Sequence, residues 1–154
     1  MRLDIGGGHA PTPGHINIDL VPEADIKWDL NKGLPDPDEF NAIGLAVDSG
    51  LNFIEGIRCH HLIEHLTQII PLMNDCYDVL KEGALMEIST PLAGTPQYWQ
   101  DPTHVKGFVP ESFLYFKKDS PFNKEQNEYG ITARFEVIKC EVSDGWQLEV
   151  TLKK

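Results

Sequence analysis

The stretch LDIGGGHAPTPGHINID, residues 3–19, decides how the rest of the chain is read. Leu3-Asp4-Ile5 is a short apolar run met at once by Gly6-Gly7-Gly8, and residues 15–20 alternate as a second strand that stops at Asp19. Glycines after a strand let a backbone approach a ligand closely, because no Cβ stands in the way. A carboxylate ending the neighbouring strand can accept two hydrogen bonds from a ribose diol. The same residues also suit an ordinary tight turn and a solvated strand end, so the rest of the chain has to decide between the two.

The bulk numbers narrow the choice. A chain of 154 residues has the length of one domain, and a domain of that size buries roughly 68–70% of its unfolded surface without staples. A single domain over residues 1–154 is expected. The net charge of −11 argues against bulk nucleic acid or an anionic membrane as partner, since either needs a basic face. Cys59, Cys76 and Cys140 are scattered and odd in number, which suits a reducing compartment and no disulfide framework. No apolar run approaches the roughly 18 residues of a membrane helix, and no signal peptide opens the sequence. A cytoplasmic protein is expected, with nothing before its first strand.

Outward from the opening stretch, residues 21–24 read as a turn and residues 25–30, DIKWDL, as a third short strand ending at Asp29. Gly33, Pro35 and Pro37 mark a loop. Over residues 38–51, Phe40, Ile43, Leu45, Ala46 and Val47 fit one helical face, with Gly44 counting against it. Residues 52–59 read as a fourth strand. Residues 60–83 read as helical, with Thr67 as cap, Pro71 near the first turn, a buried stripe of Ile69, Met73, Cys76, Tyr77 and Leu80, and Gly83 as the stop. Residues 84–90 are a fifth strand. Residues 91–130, rich in aromatics and prolines, are too long for a passive loop and read as a substrate-side cover with one or two short helices. Residues 134–141 and 146–153 alternate on either side of Asp144-Gly145, a hairpin signature. The sum is a three-layer α/β fold with a mostly parallel sheet and a C-terminal antiparallel hairpin.

In this order the motifs resemble the class I S-adenosylmethionine-dependent methyltransferases, specifically the small type 11-like group with short bacterial and phage members. LDIGGG resembles the first motif, INIDL the second strand with its ribose-binding acid, and IKWDLNKGLPDPD the adenine-side segment. RCHHLIEHL resembles the end of the fourth strand and the Leu-Glu-His-Leu helix start, VLKEGALMEISTP the turn into the fifth strand, and QDPTHVKGFVPESFLYF a segment of the short members. The resemblance implies a Rossmann-like methyltransferase sandwich that binds S-adenosylmethionine through Asp4, Gly6, Gly8, Asp19, Leu20, Asp29 and Leu30. Cys59 and His60 end the fourth strand, where open α/β sheets bind ligands, and would add backbone contacts. The protein's task would be to hold methyl donor and acceptor in near-attack geometry. The expected acceptor is a small molecule, sugar or lipid precursor entering over residues 91–130.

Two departures go with the resemblance. Only residues 9–14 separate the glycines from the second strand, whereas a parallel crossover normally needs a dozen or more residues. The first crossover helix is therefore expected to be reduced to a turn, with Ala10 at the third glycine position. The family's N-terminal helices are absent too, so a second copy of the chain could complete the lid, or the domain could keep the fold as a non-catalytic binder.

His104, in Asp101-Pro102-Thr103-His104, either serves as general base or fixes its loop by hydrogen bonds. Tyr98, Trp99, Phe108, Phe113, Tyr115 and Phe116 either line an acceptor pocket or pack a long segment. One rival motif stands apart: His61-Leu62-Ile63-Glu64-His65 matches the inverted zincin pattern, which needs a helix to set both histidines on one face, with Glu141 or another acid as third ligand. The methyltransferase resemblance itself calls for no metal ligand.

Overall fold

The structure is a computed structural model that describes residues 1–45 and 52–154. They form one seven-stranded sheet in the order β3-β2-β1-β4-β5-β7-β6. Strand β1 (Arg2–Ile5) pairs in parallel with β2 (Ile16–Asp19) and with β4 (Ile54–His60); β3 (Ile26–Lys27) lies parallel to β2, and β5 (Leu80–Pro91) parallel to β4. Strand β7 (Gln147–Lys153) runs antiparallel between β5 and β6 (Glu136–Ser143). The expected hairpin is present. Asp144 (φ 52°) and Gly145 (φ 74°) both take positive φ between Ser143 and Trp146, the twist that a tight Asp-Gly hairpin turn supplies.

Register explains how the sheet divides its chemistry. One row across it reads Leu3, Ile57, Met86, Leu152, and the next like-facing row Ile5, Cys59, Ile88, Val150; all eight are buried in one cluster. Helix α2 (Ile69–Val79) lays Leu72, Met73, Cys76 and Val79 on that cluster. Helix α1 (Pro37–Ala42), capped by the Asp36 carboxylate on the Asp38 and Glu39 amides, adds Phe40. The intervening row reads Asp4, Arg58, Glu87, Thr151, Lys139, opposite charges side by side across the strands. Its members beyond Asp4 are partly or fully exposed. On this face β1 passes to β2 through residues 6–15 with no helix among them, so the first crossover is a turn, as its length requires.

Several boundaries differ from the sequence reading. Residues 60–83 are not one helix. Strand β4 runs through His60, His61 turns with φ 51°, Ile63–His65 make a single 3-10 turn, and α2 begins only at Ile69. Pro71 explains the late start, since its ring is tolerated only in a first turn. Gln68, not Thr67, holds the cap position, while the Thr67 hydroxyl donates to Asn31 Oδ1 at 3.0 Å. The helix ends at Val79 because Leu80 is drawn into β5 opposite Ile54; the register then slips before Leu85, and Gly83 (φ 79°) sits in the excursion. The third strand is Ile26–Lys27 alone, and Asp29 caps a 3-10 turn at Leu30–Lys32 instead of ending a strand. Gly44 (φ 84°) follows α1 closely. The expected helical positions Ala46 and Val47 lie outside the described residues. The cover carries α3 (Pro96–Trp99), a 3-10 helix at Pro110–Phe116, and α4 (Asn123–Glu128).

Candidate functional site

The carboxyl ends of β1, β2, β4 and β5 share one edge of the sheet, where the first crossover turns back. Asp19 organises it. Its Oδ2 accepts from the Gly8 amide at 2.9 Å, and its Oδ1 accepts from the amides of Leu20 at 2.6 Å and Val21 at 3.1 Å. One strand-end carboxylate thus pins the glycine loop to the second strand. Asp4, 4% exposed, holds the far side of the loop by accepting from the Thr12 amide at 2.7 Å.

The glycines differ in what they permit. At Gly8 (φ 56°) a Cβ would meet nothing within 4 Å, so the backbone is open to a ligand. At Gly6 (φ 75°) a Cβ would lie 2.8 Å from the Leu62 side chain. At Gly7 it would lie 2.6 Å from Asn17 Oδ1, and Asn17 Nδ2 donates to the Gly8 carbonyl at 3.0 Å. Gly7 and Asn17 were not among the residues read as functional; the strict alternation of INID, which turns Asn17 away from the Ile16–Ile18 side, was the available signal.

Beside the loop, Asp19, Leu20, Trp28, Asp29, Leu30, Leu62 and His65 line one concave cleft. Leu20 is 61% exposed and Leu30 buried, so one apolar wall is wet and the other fixed. Asp29 Oδ1 accepts from the Asn31 amide and side chain, at 3.0 and 3.1 Å. Asn31 Oδ1 in turn accepts from the Thr67 amide at 2.8 Å, and Lys106 Nζ donates to the Thr67 carbonyl at 3.1 Å. The cleft floor is thereby tied to the cover. Cys59 is fully buried, and burial pushes its thiol well above the ordinary range, so it is no nucleophile. His60 keeps its backbone in the β4–β5 ladder opposite Ser89, and its ring, 3.0 Å from an Arg58 guanidinium nitrogen, lies on the open face. Burial first, then Arg58, hold its pKa below the usual 6.5.

A second pocket adjoins the cleft across His65, lined by His61, Glu64, Gln97, Gln100, His104 and Trp146. The His104 side chain is 7% exposed and its Nδ1 lies 2.7 Å from the Tyr98 carbonyl. Thus the sequence-predicted His104 does fix its loop, and it also stands at a pocket wall. The Glu64 carbonyl accepts from the Val105 and Lys106 amides, at 2.8 and 3.1 Å, which seats the cover against the 3-10 turn. The Glu64 side chain is completely buried. The helix that the inverted zincin pattern requires is absent, because His61 has positive φ and the turn lasts only three residues. The aromatics of the cover divide: Phe108, Phe113 and Phe116 are core, Tyr98 stacks on His104 with centroids 5.6 Å apart, Trp99 is 72% exposed, and Tyr115 lines a separate apolar groove with Ile69 and Phe116. Among the described residues, no helix is long and apolar enough to cross a membrane.

No family model matches this sequence, and no curated protein matches it. Solved structures do match in fold. An S-adenosylmethionine-dependent methyltransferase from Mesorhizobium loti gives a TM-score of 0.60 at 10% identity, over 99% of this chain and 90% of the other. The 1,6-didemethyltoxoflavin-N1-methyltransferase of Burkholderia thailandensis, solved with bound 1,6-didemethyltoxoflavin and S-adenosylhomocysteine, gives a TM-score of 0.53 at 14% identity, over 99% of this chain and 70% of the other. The [4+2]-cyclase SpnF gives 0.58 at 12% identity, over 99% and 74%. The strand order, the C-terminal hairpin and these likenesses together establish the fold as that of the class I S-adenosylmethionine-dependent methyltransferases.

Proposed function

We propose that this chain catalyses methyl transfer from S-adenosylmethionine to a small-molecule, sugar or lipid-precursor acceptor. One observation carries the proposal: the Asp19 carboxylate joins an open glycine backbone to a cleft whose other end is Asp29 and Leu30. That edge of an open α/β sheet, where the chain reverses direction, is where such folds bind nucleotides. The residues present fit the cofactor. Asp19 accepts three backbone amides, two on Oδ1 and one on Oδ2, which leaves one Oδ2 lone pair for a ribose hydroxyl, and Leu20, Leu30 and Leu62 offer apolar walls for a purine. When bound, the cofactor supplies an electrophilic methyl on a sulfonium. The protein's part is placement: Gly8 leaves the backbone open to close approach, Gly6 lets Leu62 pack against the loop, and the pocket beyond His65 receives the acceptor. His104 is the candidate base for an acceptor hydroxyl. The surplus of acid over base makes bulk nucleic acid a poor acceptor, and the cytoplasm is the compartment that suits three free cysteines.

Calorimetric titration with S-adenosylmethionine and S-adenosylhomocysteine tests this. Binding by the wild type is expected, weakened about 10–100-fold in Asp19→Ala, the equivalent of losing one or two hydrogen bonds to charged groups. A folded wild type that binds neither contradicts the proposal.

A second reading has its own observation. Residues 6–15 cross from β1 to β2 without a helix and leave one sheet face bare. A domain that keeps the fold and binds a nucleotide-like ligand or a partner, or a second copy of the chain that completes the lid, would account for that. Cofactor binding without turnover on any acceptor favours the former; concentration-dependent turnover favours the latter.

A further inference from the structure

We infer that Glu64, His65 and His104 form a binding site for a divalent first-row transition-metal ion in the wall between the cleft and the second pocket. One ligand atom from each of the three lies within 4.8 Å of the others, and the two imidazole centroids are 4.7 Å apart. An ion with ligand bonds of about 2.1 Å would hold tetrahedral ligands roughly 3.4 Å apart, so modest tilts of side chains close the set. His104 cannot drift far, because the Val105 and Lys106 amides beside it are bonded to the Glu64 carbonyl.

The hydrogen bonds around the three residues fix which atoms remain for an ion. The Tyr98 carbonyl can only accept, so His104 Nδ1, 2.7 Å away, carries a proton. Thr103 Oγ1 lies 2.7 Å from Asp101 Oδ1, a carboxylate oxygen that can only accept; the hydroxyl proton therefore points to Asp101. Thr103 Oγ1 is left to accept from His65 Nδ1 at 2.9 Å. With Nδ1 donating in both rings, Nε2 is the nitrogen left to ligate. A ring whose other nitrogen donates to a carbonyl, or to a carboxylate-backed group, is the usual outer support of a metal-binding histidine. His104 Nε2 meets Asp101 Oδ2 only at 3.9 Å, beyond hydrogen-bond distance.

Glu64 is the independent observation. Its side chain has no exposed surface. Oε2 accepts from the Thr90 hydroxyl at 3.0 Å, but Oε1 has no hydrogen bond and only His61 Nδ1 at 3.3 Å. A buried carboxylate oxygen needs a donor or a cation beside it; His61 Nδ1 is the near partner of Oε1, and a metal ion at the site would take that place. His61, half exposed and stacked on Trp146, can move aside. Two imidazoles and a carboxylate suit Zn²⁺, Co²⁺ or Fe²⁺ and leave at least one coordination position open toward the pocket. If the proposed methyl transfer holds, and only this clause rests on it, the open position would orient an acceptor hydroxyl and ease loss of its proton to solvent, and His104, with both ring nitrogens engaged, would then serve as ligand in place of base.

The full-length chain, stripped with a chelator, would be titrated with Co²⁺ alone and followed by its visible ligand-field bands. Uptake of one ion per chain is expected. His65→Ala, His104→Ala and Glu64→Gln are each expected to weaken it by at least about 10–100-fold, the loss that follows removal of even one outer-shell partner. His61→Ala should retain it; the inverted zincin reading requires the opposite. No uptake by the folded wild type, or uptake that survives His104→Ala, overturns the inference. Should His104→Ala not fold, His65→Gln on the accessible side of the site carries the same test. S-adenosylhomocysteine binding to the ion-free chain is measured in parallel, so that failure of the ion site and failure of the cofactor site are told apart.

Discussion

On one face of the sheet, Leu3, Ile57, Met86 and Leu152 stand in a row under α2; on the other, Asp4, Arg58, Glu87 and Thr151 of the same four strands stand in a row that largely meets water. Parallel strands are usually covered on both faces and read as continuous apolar runs. Here the cover is one-sided, and the strands alternate instead. The difference shows where the fold has been economised: the helices that remain are those that bury the core, and the missing crossover helix exposes a face already lined with charged and polar side chains. The cleft survives because Asp19, Gly8 and Asn17 hold the shortened loop without help from a helix.

Substitutions should separate the two faces. Leu72→Ala, beneath the covered face, is expected to cost about 2–5 kcal/mol of unfolding free energy in urea titrations, the usual range for an emptied core site. Gly7→Ala should be next, at about 1–3 kcal/mol by overpacking against Asn17, with weaker S-adenosylhomocysteine binding as its second readout. Gly8→Ala should cost about 1–2 kcal/mol from its left-handed backbone (φ 56°) and not from crowding, since no atom stands near that Cβ; a larger loss would mean that the loop repacks.

The open face should also carry a pH signature. His60 has a folded pKa lowered from 6.5 by burial and by Arg58. The unfolded chain therefore takes up a proton that the folded chain refuses, and stability should fall as pH drops below 6.5 toward the folded value. His60→Gln should flatten that part of the pH–stability curve. The smallest effect is expected for Glu87→Gln in the exposed row, within about 0.5 kcal/mol of wild type; a loss comparable with Leu72→Ala would mean that the open face is buried in solution, as it would be in a dimer.

Much of this was legible in the chain. The glycine run, the strand-end Asp19 and the Asp144-Gly145 turn are local signals with local causes, and each appears where the residues put it. The helix expected over residues 60–83 starts late, at Ile69, where Pro71 falls in its first turn, and its end is hidden from the sequence because apolar spacing at Ile69, Met73, Cys76 and Leu80 fits a helix whether or not the last of them is claimed by a strand. The pairing of Leu80 with Ile54, a tertiary fact, decides that end. The second pocket was legible in pieces: His104 stood out as a titratable group, and Glu64 is a lone acid among Leu62, Ile63 and Leu66. That the two share a wall depends on the Val105 and Lys106 amides reaching the Glu64 carbonyl, which no spacing encodes.

The most direct measurement is amide chemical-shift mapping of the full chain titrated with S-adenosylhomocysteine. Shifts concentrated at Gly6, Gly8, Leu20 and Leu30, with Arg58, Lys139 and Thr151 unmoved, are the expected result. Shifts confined to the open face, or none at all, would contradict a cofactor site in the cleft at Asp19.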